Sequence, residues 1–307
     1  MAHNHSHHSH AHHHGSPNYN RAFVISVVLN VAFVITEAVY GIAANSLALL
    51  ADAGHNLSDV LGLLLAWGAS VLAQRRPSAR RTFGLRRSSI LAALVNAVFL
   101  FVVSGGVGWE AIRRFREPDS VAGGTIITVA AIGIVINTMS ALMFLSGRGR
   151  DLNLRGAFLH MAADAVVSLG VVLAGIAIVL TGQQWFDPAV SLIVTIVIIA
   201  GTWGLFRDAL NLITDAVPNG IESLAVRTYL AECPGVSDVH DLHIWAMSTT
   251  ETALMAHIVM PDGHPGDAFL AKIYHDLHDY FGIEHATIQI EMGNSAYPCA
   301  LACENVV

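Results

Sequence analysis

The sequence predicts an α-helical membrane protein, six transmembrane helices followed by a small α+β domain of order αββαβ (ferredoxin-like), on three observations. Hydrophobic residues make up 54% of the 307 residues and charged residues only 13%, with a mean hydropathy of +0.55. A soluble domain carries about 25% charged residues. Six apolar runs each reach the roughly 20 residues that a helix needs to cross a bilayer. The charge is also divided: before residue 210 there are 14 Arg against 10 acidic residues, and after it only Arg227 and Lys272 against 13 acidic ones. This balance excludes a disordered chain, an ordinary cytosolic protein and a nucleic-acid binder with a basic face.

The runs are Ala22–Gly41, Ser46–Leu72, Ser89–Ala111, Val121–Leu145, Gly156–Leu180 and Pro188–Phe206. They are expected to be helices because a bilayer interior leaves the backbone no partner but itself. The first is not a cleavable signal, since it carries Glu37 and follows a histidine tract instead of a basic region. Arginine placement sets the expected orientation. Arg75, Arg76, Arg80, Arg81, Arg86 and Arg87 follow the second run, and Arg148, Arg150 and Arg155 follow the fourth. Only Arg113, Arg114 and Arg116 vote the other way, so both termini are expected in the cytoplasm.

Beyond Asn219 the pattern changes. Ile221–Glu232 and Asp267–Phe281 read as helices, and Val236–Met247, Thr250–Met260 and Ala286–Met292 as strands, with a turn at Pro261-Asp262-Gly263. The expected domains are a disordered His-rich tract over 1–20, a membrane domain over 21–209, a cytoplasmic metal-responsive domain over 210–293 and a flexible tail over 294–307. The thin core of the small domain favours dimerisation. The three cysteines, Cys233, Cys299 and Cys303, lie in the acidic part and suit a reducing compartment.

Ionisable groups inside apolar runs carry the chemistry, because a carboxylate at the centre of a span costs about 2.5–3.5 kcal/mol to insert. The second run holds Asp52, His55 and Asp59; the fifth holds His160 and Asp164. Residues four apart share one helix face, so each His-x-x-x-Asp pair presents an imidazole and a carboxylate together. Two such faces offer two nitrogens and two oxygens, a tetrahedral set suited to Zn²⁺. Imidazole argues against Mg²⁺ and Ca²⁺, and the absence of His-Glu-x-x-His argues against an intramembrane zinc hydrolase. The alternative is that these groups only hydrogen-bond helices together. Asp52 falls on the same stripe, either as a proton relay, as an acceptor orienting a ligand imidazole, or as a helix-packing group. Glu37, Asn96 and Asn137 read as helix-packing or cavity-lining groups.

Ser46-Leu-Ala-Leu-Leu-Ala-Asp52-Ala-Gly-His55-Asn-Leu-Ser-Asp59 resembles the second-helix signature of the cation diffusion facilitators, and Leu159-His160-Met-Ala-Ala-Asp164 their fifth-helix counterpart. The likeness runs over residues 20–292 and includes the Thr82-Phe83-Gly84 loop. The resemblance implies a homodimer that exports divalent metal in exchange for protons, with His55, Asp59, His160 and Asp164 as transport ligands and zinc as the preferred metal. It also implies regulatory metal on His240 and His257, with His285 as a third ligand. Cys299 and Cys303, four apart, make a weak clamp. The eight imidazoles between His3 and His14 would bind transition metals weakly and load the transporter, and the tract is expected to be dispensable. The loop after the second run has no His or Asp, and that after the fourth lacks a His-rich insertion, so no further loop site is expected.

The reading is therefore not an enzyme but a Zn²⁺/H⁺ antiporter of the bacterial inner membrane. It has no prosthetic group and no nucleic-acid partner, its setting is the lipid bilayer, and Co²⁺ or Cd²⁺ are further candidate cargoes. The rival is a membrane-bound metal sensor or scaffold without flux.

Overall fold

The computed structural model describes residues 17–145, 152–293 and 299, so the His3–His14 tract, Cys303 and the arginines at 148 and 150 lie outside the described residues. Six long helices come first: α1 Pro17–Ala43, α2 Leu47–Ala73, α3 Ser88–Arg116, α4 Gly123–Leu145, α5 Leu152–Thr181 and α6 Phe186–Ile213. α7 (Ser223–Ala231), β1 (Asp238–Ala246), β2 (Thr252–Val259), α8 (Asp267–Phe281) and β3 (His285–Glu291) follow in the expected αββαβ order. Among the described residues, α2 to α6 each contain a segment long and apolar enough to cross a membrane, and Val28–Ala43 of α1 is a shorter apolar helix. The chain packs as two compact units, one of residues up to Val60 with Val103–Ile196, the other of Leu61–Val102 with Val197 onward.

In the first unit Phe33 of α1, Leu49 of α2, Ile126 and Val129 of α4 and Val171 and Ile178 of α5 form a buried apolar cluster. Lipid gives helices no hydrophobic reason to associate, so small residues that admit close approach decide where they touch. A Cβ on Gly175 would lie 3.1 Å from the Gly123 carbonyl, and one on Gly133 only 2.5 Å from the Phe33 ring. α4 and α5 therefore meet nearly backbone to backbone. Asp187, at the start of α6, caps α2: its carboxylate accepts from Ser46 Oγ at 2.5 Å and from the Leu47 and Ala48 amides at 2.8 and 3.3 Å. Ser46 Oγ itself accepts from the Leu49 amide at 3.2 Å, as a helix N-cap does. These bonds hold the helix that carries Asp52, His55 and Asp59 at a defined height.

In the second unit the strand order is β1-β2-β3, antiparallel then parallel. Val226 and Leu230 of α7 and Ile273 and Leu277 of α8 pack on Val239, Leu242, Ile244, Leu254, Ala256 and Ile258 of one sheet face. Strand side chains alternate between faces, which sends His257 and its register partners His240 and Gln289 to the other face. The register slips between His240 and His243, where Asp241 takes φ 49°. This bulge keeps His240 and His243 on one face while burying Asp241. α8 ends in left-handed Gly282 at φ 65°, the usual place for a residue without Cβ.

Two outcomes follow for the small domain. Leu277→Ala, at a fully buried side chain, is expected to cost about 2–5 kcal/mol, read as faster amide exchange throughout β1–β3 in the full chain. Lys272 Nζ and Tyr229 Oη both donate to Asp276 Oδ2 at 2.7 Å and hold its carboxyl below the usual range. That stabilisation is present above the unfolded pKa of about 3.9 and is lost as pH falls through the lower folded value. Asp276→Asn should therefore flatten the acid limb of the domain's stability below about pH 4, measured by exchange or denaturant titration.

Candidate metal centre

Both metal-type clusters arise from simple local geometry. α2 places His55 and Asp59 one turn apart, and α5 does the same with His160 and Asp164. The fold then sets the two pairs face to face. His55 Nε2 lies 3.7 Å from Asp59 Oδ2 and 3.5 Å from Asp164 Oδ1; His160 Nε2 lies 3.2 Å from Asp59 Oδ2 and 3.7 Å from Asp164 Oδ2. Asp59 meets both imidazoles through Oδ2, whereas Asp164 turns a different oxygen to each; one donor atom each of His55, Asp59 and His160 lie within 4.8 Å of one another, and Asp164 stands just outside that set. A tetrahedral zinc with bonds of about 2.0–2.2 Å sets its ligand atoms about 3.3–3.6 Å apart; the N···O contacts are close to this, and a small approach of Asp164 to His55, Asp59 and His160 would complete a set of four. Asp59 Oδ2 and Asp164 Oδ2 are buried and receive no hydrogen bond, so the oxygens facing the centre have spare lone pairs. The rings of His55 and His160 stand edge to face at 5.9 Å between centroids.

Exposure across the ring of four residues is graded. His160 and Asp59 are 39% and 34% exposed, His55 21%, and Asp164 only 2%. His160 precedes Asp164 along α5 and Asp59 follows His55 along α2, so the more exposed half of the ring lies toward the start of α5 and the end of α2. Chemically, four groups that need neutral imidazole and ionised carboxylate bind either a dication or protons. The same N···O edges that suit a metal are ion pairs when the imidazoles are protonated.

Asp52 belongs to another set of contacts. Its Oδ2 accepts from Ser168 Oγ of α5 at 3.1 Å, and its Oδ1 faces the Asn56 amide at 3.5 Å. Glu37 Oε2 accepts from the same Asn56 amide at 3.3 Å. His55 Nδ1 has no hydrogen-bond partner, so the expectation that Asp52 orients a ligand imidazole is corrected. Its carboxylate is turned toward Ser168 and Asn56 instead.

The small domain assembles a second cluster on the outer face of its sheet. His240, His257, Glu291 and Cys299 bring one donor atom each within 4.8 Å of one another. Glu291 lies 2.9 Å from His257 Nδ1 and 3.5 Å from His240 Nε2, and Cys299 Sγ is 3.5 Å from His257 Nδ1. Burial works against the Glu291 charge, but hydrogen bonds from Cys299 and Gln289 and the neighbouring His240 and His257 hold its carboxyl below the usual range. Asp241 of the bulge sits 3.5 Å from His257 Nε2 and 3.0 Å from His243 Nε2.

His285 is not in this group, which corrects its expected place as third ligand. β3 runs parallel to β2, with Gln289 beside His257 and His285 beside Ala253. At about 3.3 Å per residue, His285 is some 13 Å along the strand from the cluster. Its ring packs edge-on against Phe83 at 5.7 Å. Glu291, at the other end of β3, takes the position instead. Period-2 alternation put Glu291 on the right face, but only the register showed which end of β3 meets His257.

The family model described as the cation efflux transmembrane domain matches residues 23–214, and that of the cation efflux protein cytoplasmic domain matches 218–292. The chain belongs to the cation efflux family, the cation diffusion facilitators. A cadmium, cobalt and zinc/H(+)-K(+) antiporter of Bacillus velezensis is 36% identical, covering 99% of this chain and 96% of its own. Zinc transporter ZitB of Escherichia coli is 37% identical over 95% and 93%, and the metal cation efflux system protein CzcD of Cupriavidus metallidurans 36% over 94% and 91%. A solved metal-bound C-terminal domain of the CzcD transporter is 33% identical, covering 23% of this chain and 99% of that one, at a TM-score of 0.22.

Zinc titration of the full chain should show two separable classes of site. Asp164→Ala is expected to abolish one and His257→Ala the other, each leaving its counterpart intact in a binding isotherm. Both should weaken as pH falls, because imidazole must lose its proton to bind.

Proposed function

We propose that this protein exports Zn²⁺ from the cytoplasm in exchange for protons by alternating access. The observation that carries the reading is the meeting of His55 and Asp59 of α2 with His160 and Asp164 of α5 at N···O distances of 3.2–3.7 Å, with His55, Asp59 and His160 already grouped as a dication would need them. The family matches and the efflux and antiport activities in the relatives' names agree with it. Affinity orders alone separate such dications poorly, so Cd²⁺ and Co²⁺, which the Bacillus velezensis relative's name includes, are secondary cargoes. Nothing about the two clusters calls for bond-making chemistry, and the protein is read as a transporter, not an enzyme.

With both termini cytoplasmic, as the arginine distribution favours, the more exposed half of the ring faces the cytoplasm and the buried Asp164 side faces outward. Metal arrives from the cytoplasm and displaces protons from His55 and His160. Rearrangement of α2 and α5 then exposes the ring to the other side, where protons displace the metal. The bacterial inner membrane is the setting and a homodimer the working assembly. The His240, His257, Glu291 and Cys299 cluster is read as a regulatory metal site that responds to cytoplasmic metal. A sensor without flux would leave the intramembrane ring without a role, which disfavours it.

The test is Zn²⁺ flux in proteoliposomes under an imposed pH gradient. The parent should move zinc in the direction set by the gradient, and Asp59→Ala and Asp164→Ala should reduce flux to that of empty vesicles. Flux independent of the gradient would indicate a uniporter. Absent flux with zinc retained on the small domain would return the reading to a sensor.

A further inference from the structure

Glu37 of α1 and Asp52 of α2 are both fully buried, at 0% exposure. Their carboxyl groups lie in hydrogen-bonding contact with each other. The donors around them are neutral: the Asn56 amide shared between Glu37 Oε2 and Asp52 Oδ1, and the Ser168 hydroxyl on Asp52 Oδ2. Glu37 Oε1 is buried and receives no hydrogen bond from any donor. An ionised carboxylate has only acceptors, so two of them in contact repel unless one oxygen carries a proton. The hydrogen-bond partners of the pair are Asn56 and Ser168, neither of them a ligand of the ring.

The groups facing the pair complete the charge count. α2 contributes His55 and Asp59, and α5 contributes His160 and Asp164. α4, which packs against α1, carries no ionisable residue between Gly123 and Leu145. Both imidazoles direct Nε2 at Asp59 and Asp164; of these charges Asp164 repels both carboxylates of the pair, and His55 attracts Asp52 but makes no hydrogen bond to it. The pair is also placed on the closed side of the ring. Asp52 precedes His55 by one turn toward the start of α2, and Ser168 follows Asp164 by one turn toward the end of α5. The more exposed half of the ring lies in the opposite direction.

We propose that Glu37 and Asp52 form a proton-carrying pair, separate from the metal ligands, that takes up and releases one proton in each transport cycle. While the ring is open on the other side, the shared proton leaves the pair with a single negative charge and keeps the barrier closed. A proton entering from the closed side reaches the pair before it reaches the ring. When that proton leaves through the ring as metal binds, the pair carries two negative charges until the outward opening restores its proton. The inference rests on the antiport reading and adds a carrier of protons to it.

Two measurements on the full-length protein test it. In proteoliposomes with zinc- and pH-sensitive dyes, Glu37→Gln should still move zinc, with the number of protons exchanged per zinc lower by one than in the parent. Infrared spectra at neutral pH should show the carbonyl stretch of a protonated carboxyl in the parent, and its loss in Glu37→Gln and in Asp52→Asn. Zinc affinity of Glu37→Gln should escape the roughly 10-fold to 100-fold loss seen when a group orienting a metal ligand is changed. An unchanged proton count overturns the proposal, as does the absence of the protonated band in the parent or a loss of zinc affinity of that size. If Glu37→Gln does not reconstitute, the parent band and its loss in Asp52→Asn decide. A parent without proton-coupled flux would refute the antiport reading instead, and the infrared band would still report on the pair.

Discussion

A carboxylate inside an apolar helix is tolerated only where something neutralises it, and the first compact unit is arranged around that requirement. Asp164 is 2% exposed within a helix that is otherwise almost wholly apolar. It is accommodated because the imidazoles of His55 from α2 and His160 from α5 each approach one of its oxygens. Glycines at 123, 133 and 175 bring α4 close against α1 and α5. Asp187 fixes the start of α2, so His55 and Asp59 meet their partners at the right height. The proposed metal site and the helix packing are therefore one problem with one solution.

That solution has a functional consequence. Imidazoles and carboxylates with N···O contacts of 3.2–3.7 Å would bind a dication only as they lose protons, so occupancy by one disfavours the other. Exchange then needs no separate coupling device at the ring itself, only alternate access from the two sides. Glu37 and Asp52 extend the polar system beyond the ring, where the neutral side chains of Asn56 and Ser168 supply their hydrogen-bond donors.

The small domain solves a softer version of the same problem. Its sheet buries one face under α7 and α8, and the other face collects histidines and acids at one end of β1, β2 and β3. The bulge at Asp241 makes this possible, because it resets the alternation of β1 between His240 and His243. Without that slip, either His243 or the apolar partners of the core would face the wrong way. Where the ring of the first unit comes from helix periodicity, this cluster comes from strand register.

Much was legible in the sequence alone. Long apolar runs define the six helices, because a bilayer allows no other solution, and the spacing of His55 with Asp59 and of His160 with Asp164 places each pair on one helix face whatever the rest of the chain does. Strand alternation and turn residues were enough for the αββαβ order. These are local properties, set by residues within a few positions of each other. Tertiary structure decided what meets across the chain: that Glu37 touches Asp52 and shares the Asn56 amide, that Asp52 turns to Ser168 and away from the imidazoles, and that Glu291 and Cys299 join His257 where His285 was expected. Such contacts depend on helix packing and on the register of a parallel strand, and neither leaves a mark at the periodicity of a single segment.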